Sequence, residues 1–120
     1  MKFVIHHHTN GTDHYDIMIE YSNILLTWQV PFDKIKLLLN GIRIEAIRIQ
    51  DHRKKYLNYE GPISCNRGRI EIFDYGNYKA SVIDEDNIKA QLYGKVFKGL
   101  INIKKIDGVI YWLEFLPDPI

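Results

Sequence analysis

The segment His8 to Asp16, HTNGTDHYD, places two imidazoles and a carboxylate where one metal ion could collect all three. If the chain after Thr12 is extended, His14 and Asp16 are two residues apart and share a face, with Tyr15 and Ile17 on the other. His8 lies six residues before His14, across Asn10-Gly11. That dipeptide favours a tight turn and can swing the chain back so that the third ligand meets the other two. Two histidines and one carboxylate with open positions suit a catalytic divalent metal better than a closed structural one. The plainer alternative is that these are surface or hydrogen-bonded core histidines. His6, His7 and His8 also look like part of a purification tag, but three histidines after Lys2-Phe3-Val4-Ile5 are too few and too internal, so they read as native sequence.

A second constellation runs from Asp51 to Gly61, DHRKKYLNYEG. His52 and Tyr56 are four residues apart, and Arg53, Lys54 and Lys55 form the densest positive run in the chain. Alone this reads as a solvated basic loop with an incidental histidine, and the two side chains converge only if the segment turns or coils. Gly94 to Gly99, GKVFKG, reads as a hairpin connection in preference to a phosphate-contacting loop.

The elements that must position these residues are almost all strands. Lys2–His6, Asp13–Glu20, Ile24–Val30, Ile42–Gln50, Gly68–Phe73, Tyr78–Ile83, Ile88–Tyr93, Leu100–Ile106 and Val109–Leu116 are rich in Ile, Val and Tyr with rough alternation. Turn-forming residues separate them at Asn10-Gly11, Ser22-Asn23, Asn40-Gly41, Tyr75-Gly76-Asn77, Asp84 to Asn87 and Asp107-Gly108. The spacing predicts a mainly β fold, a compact antiparallel barrel, with a helical piece of about two turns over Phe32–Leu39. The 120 residues are one domain, 1–120, without room for a separate cofactor module. A net charge of +1 argues against an extended basic surface for non-specific duplex binding. The single Cys65 forms no internal disulfide, no apolar run approaches membrane-spanning length, and a soluble cytoplasmic protein is expected.

Both constellations, in this order and spacing, resemble the 3′-phosphoesterase domain found in bacterial and archaeal DNA ligase D proteins and as small stand-alone enzymes. The likeness runs through Phe3-Val4-Ile5, His8, His14-Tyr15-Asp16, Glu20, Trp28-Gln29-Val30-Pro31, Asp51-His52, Tyr56, Tyr59-Glu60-Gly61 and Gly68 to Gly76. It implies a compact antiparallel barrel and a Mn²⁺-dependent enzyme, other divalent cations being possible. Such an enzyme trims 3′-terminal ribonucleosides and 3′-phosphates from DNA or RNA-terminated DNA ends before ligation. By the matching positions, His8, His14 and Asp16 would hold the metal, and His52 with Tyr56 would lie across the phosphate. It further implies a separate ligase and polymerase as partners, and a monomer is expected.

This chain also departs from the family pattern. The family's Arg two residues after the metal-binding Asp is here Met18, and the Lys after its Trp-x-Val-Pro run is here Phe32. A further family Arg falls at Ile44, with Arg43 one position off and on the opposite strand face unless a bulge shifts the register. The loop after Glu60-Gly61 is shortened to Pro62–Arg67, and the family's extended N-terminal arm is expected to be absent. Replacement cations for phosphate are Arg48 and Arg43, with Lys34, Lys36, Arg67 and Arg53 to Lys55 as further sources. Two other classes remain open: a single-stranded nucleic-acid-binding barrel that stacks bases on Tyr75, Tyr78, Tyr93 or Phe97, and a cupin-like small-molecule metalloprotein.

Overall fold

A computed structural model describes residues 1–84 and 86–119. Nine antiparallel strands follow in chain order: β1 Lys2–Asn10, β2 Thr12–Tyr21, β3 Ile24–Pro31, β4 Ile44–Arg53, β5 Gly61–Pro62, β6 Arg69–Ile83, β7 Asn87–Tyr93, β8 Lys98–Asp107 and β9 Ile110–Pro117. Eight of them close a ring in the order β1-β2-β3-β4-β9-β8-β7-β6, sealed by β6 pairing back onto β1. The two-residue β5 hangs on β6 through Gly61↔Ile70 and Pro62↔Arg69. Closure removes free edges, and alternation along each strand then sends one set of side chains inward. Phe3, Ile5, Ile17, Ile19, Trp28, Val30, Leu92, Ile101, Leu113 and Phe115 fill that interior.

The expected barrel and its short helical piece are present, and the differences are local: β1, expected over Lys2–His6, runs on to Asn10. Tyr75-Gly76-Asn77 is not a turn, and β6 runs unbroken through it. Gly76 is there for close approach, since a Cβ would lie 2.2 Å from the Tyr93 carbonyl oxygen. The strand expected from Ile42 starts at Ile44. The helical piece is a 3₁₀ turn, Phe32–Lys34, running into α1, Ile35–Leu39, which buries Ile35 and Leu38. No helix among the described residues is long and apolar enough to cross a membrane.

A second, smaller cluster lies on the outer face of the wall, where Val4, Met18 and Leu25 are covered by Tyr56, Leu57 and Ile72. The chain between β4 and β6 therefore folds back over β1, β2 and β3 as a partial second layer. It opens with a 3₁₀ turn, Lys54–Leu57. The Lys54 ammonium pins that turn to the barrel through a 2.9 Å ion pair with Glu20 of β2. Glu60 accepts the Ile72 N–H at 2.9 Å, beside the bulge where Ile5↔Asp74 is followed by His6↔Ile72.

Candidate active site

Between the outer layer and the wall is a cavity of about 630 Å³ lined by His6, His8, His14, Asp16, Gln29, Ile49, His52, Arg53, Tyr56 and Arg67, among others. The strand register explains why these residues meet. Across β1 and β2 the rungs are His8↔His14, His6↔Asp16 and Val4↔Met18, and the next strand adds Asp16↔Gln29 and Met18↔Thr27. Opposed residues share a face, with Cβ atoms about 4.5–5.5 Å apart. The turn at Gly11, whose φ of +77° favours glycine, lets the two strands pair from Asn10↔Thr12 downward and brings His8 opposite His14. Tyr15 and Ile17 point into the core, as the alternation requires.

His8 Nδ1 lies 3.1 Å from His14 Nε2 and 3.8 Å from Asp16 Oδ2, while His14 Nε2 is 3.3 Å from Asp16 Oδ1. An ion about 2.1 Å from each donor would have neighbouring donors about 3.0–3.5 Å apart, so the three sites fit one cation with little adjustment. The donor atoms all fall within 4.8 Å of one another. Asp16 is 4% exposed and its Oδ1 is buried without a hydrogen-bond partner, an acceptor that a cation would satisfy. His8 Nε2 is 2.8 Å from the Arg67 carbonyl oxygen. A carbonyl only accepts, so Nε2 carries the proton and Nδ1 turns its lone pair toward the cluster. Two imidazoles with one carboxylate suit manganese, iron or zinc without selecting among them.

His52 reaches this face because of a bulge in β4. Leu25 pairs with His52 and Thr27 with Ile49, so between these pairs one residue of β3, Leu26, opposes two of β4, Gln50 and Asp51, and His52 faces the cavity. His52 Nδ1 is 3.0 Å from the Gln50 carbonyl and 3.1 Å from Thr27 Oγ1. The Thr27 hydroxyl donates to the Leu25 carbonyl at 3.0 Å, which leaves its oxygen to accept. Both partners therefore take the Nδ1 proton, and Nε2 is the ring nitrogen free for a guest. Tyr56 follows in the 3₁₀ turn, its ring edge-on to His52 with centroids 5.8 Å apart.

Not every residue considered for the site lies in it. Arg43 stacks on Trp112 at 3.8 Å and pairs with Glu114, away from the cavity. Arg48 pairs across the ladder with Trp28 and lies 5.1 Å over its ring on the core side of the wall; its guanidinium binds Asp51 at 2.9 Å. Arg53 and Arg67 do line the cavity, with Arg67 held by the Ser64 carbonyl and hydroxyl. Met18 is fully buried beneath the site and packs on Val4 and Leu25. The GKVFKG loop has no free phosphate cradle, because the Asp74 carboxylate takes the backbone N–H groups of Lys95, Val96 and Phe97 at 2.8, 3.2 and 2.7 Å. Of the four aromatics considered for base stacking, Tyr78 and Phe97 are core residues, while Tyr75 and Tyr93 are exposed.

His6, Thr27 and Gln29 belong to this region and were not singled out from the sequence. His6 stands two residues before His8, so strand alternation alone would place both on one face. Burial drops its pKa to about 4, with the Asp16 carboxylate opposing, so the ring is neutral near pH 7. His7, on the other face, stacks on Tyr15 with centroids 5.1 Å apart and pairs with Asp13 at 3.2 Å.

The family whose sequence pattern matches this chain is the DNA Ligase D 3'-phosphoesterase domain, over residues 6–105. The chain is 32% identical over 115 residues to the multifunctional non-homologous end joining protein LigD of Mycobacterium bovis. The same identity holds for the multifunctional non-homologous end joining DNA repair protein LigD of two strains of Mycobacterium tuberculosis. Each alignment covers 88% of this chain and 15% of the relative.

Proposed function

Since this chain belongs to the DNA ligase D 3′-phosphoesterase domain family, we propose that it is a metal-dependent phosphoesterase that processes the 3′ ends of DNA. Its substrates are 3′-terminal ribonucleosides and 3′-phosphates on DNA or RNA-terminated DNA, and Mn²⁺ is the favoured ion. The observation that carries this reading is the convergence of His8 Nδ1, His14 Nε2 and the Asp16 carboxylate in a cavity also lined by His52 and Tyr56. A divalent cation held there supplies positive charge to the phosphate oxygens as their negative charge rises, and lowers the pKa of a bound water.

The chain's own side chains account for the remaining work. Gln50 and Thr27 hold the Nδ1 proton of His52, so any proton exchanged with a substrate or leaving oxygen passes at Nε2. The Tyr56 hydroxyl offers a second donor to a phosphate oxygen. Arg53 and Arg67 provide cationic charge at the cavity, in place of the bidentate grip that Met18 cannot make. Incubating a labelled primer ending in one ribonucleotide, with and without Mn²⁺, for wild type and His14→Ala, tests the proposal. Release of the terminal nucleoside only by wild type with the ion is expected. Metal-independent release, or full activity in His14→Ala, overturns it. Binding of single strands that ignores both metal and His14→Ala would favour the non-catalytic barrel.

A further inference from the structure

His6 stands directly opposite Asp16 on the β1–β2 ladder, one rung from the His8↔His14 pair. It lines the same cavity, is 1% exposed, and its Nε2 is buried without a hydrogen-bond partner. With the ring proton on Nδ1, this unpartnered Nε2 carries a lone pair that can accept from a donor within the site.

We propose that His6 is a positioning residue for the cation, its Nε2 accepting a hydrogen bond from a water bound to the ion that His8, His14 and Asp16 hold. The inference rests on the metal reading given above and adds a residue to it. A lone pair has nothing to accept from a phosphate oxygen without hydrogen, whereas water on a divalent ion is a strengthened donor. The spacing favours a water over direct ligation. The donors within 4.8 Å of one another are those of His8, His14 and Asp16, and His6 is not in that group. One intervening water sets a nitrogen roughly 4.3 Å from the ion, a metal–oxygen bond near 2.1 Å and a hydrogen bond near 2.8 Å meeting at about 120° on the water oxygen. Outer partners of this kind typically change metal affinity 10- to 100-fold.

Two measurements test the assignment. In calorimetric titration with Mn²⁺, His6→Leu is expected to bind at least about tenfold more weakly than wild type, and His6→Gln, whose amide oxygen can accept, to recover most of the loss. Equal affinity for wild type and His6→Leu overturns the proposal. The imidazole ¹⁵N spectrum of the wild-type protein titrated with Zn²⁺ needs no variant to fold. His8 Nδ1 and His14 Nε2 should shift as direct ligands, with a smaller hydrogen-bond shift at His6 Nε2; a ligand-sized shift at His6, or none, refutes the water contact. If wild type takes up neither Mn²⁺ nor Zn²⁺, the metal reading itself falls, a result distinct from failure at His6 alone.

Discussion

Replacing Gly68 with alanine should weaken the metal site from outside it. Gly68 has φ +92°, and a Cβ there would lie 1.9 Å from the Thr9 carbonyl oxygen and 2.8 Å from its carbon. Ordinary contact begins near 3.4 Å, so the two backbones must separate by roughly 1.5 Å (3.4 minus 1.9). The left-handed conformation costs an alanine about 1–2 kcal/mol. The displacement also strains the Ile63 N–H bond to the Gly68 carbonyl, 2.8 Å long, and the His8 Nε2–H bond to the Arg67 carbonyl, also 2.8 Å. Together these give a loss of about 2–4 kcal/mol, or a fall in Tm of roughly 8–15 °C for a domain of this size. Releasing His8 from its carbonyl should weaken Mn²⁺ binding about 10- to 100-fold. Thermal melts and calorimetric titration read the two effects. Gly108→Ala is the control, since Gly108 has φ +54° but nothing within 4 Å of an added Cβ; it should lower Tm modestly and leave Mn²⁺ affinity unchanged. If Gly68→Ala melts within 2 °C of wild type and binds Mn²⁺ within about twofold, the argument that this loop orients His8 is wrong.

Other outcomes follow from the same geometry. Thr27→Val removes one of two acceptors from His52 Nδ1. It should slow 3′-end cleavage about tenfold and move its pH–rate profile while leaving Mn²⁺ affinity intact; an unchanged profile would remove Thr27 from the account. Lys54 holds the Glu20 carboxyl below its usual range against an opposing burial effect. Because the folded pKa is the lower one, that stability is present above about pH 4.5, the unfolded value, and is lost as pH falls through the folded value. Lys54→Met should flatten the acid side of the Tm–pH curve, by about 1 kcal/mol for a pair this exposed; parallel curves for the two proteins would contradict it. A 3′-phosphate carries about two charges and a diester one, so with Met18 in place of a guanidinium, nucleoside release should outpace release of inorganic phosphate from matched ends. Phosphate release as the faster step would count against that reasoning.

The sequence revealed the closed barrel because Ile, Val and Tyr alternate between clear turn signals, and it revealed the hairpin cluster because two ligands at i and i+2 must share a strand face. Features set by long-range packing were hidden. Tyr75-Gly76-Asn77 has turn composition, yet Gly76 is used for close approach of β7. Arg48 is basic and near the site in sequence, but the β4 bulge that turns His52 toward the cavity follows it, so Arg48 stays on the core side with Trp28. Asp74 gave no sign that it would fill the N–H groups of the GKVFKG loop. His6 was legible by alternation, but only the fold shows that its Nε2 is buried and unpartnered.

The most direct measurement is an anomalous difference map from a crystal of this protein soaked in Mn²⁺. The account predicts one strong peak about 2.0–2.3 Å from His8 Nδ1, His14 Nε2 and an Asp16 carboxylate oxygen. A saturated crystal with no peak among those three groups, or with the ion bound elsewhere, would contradict it.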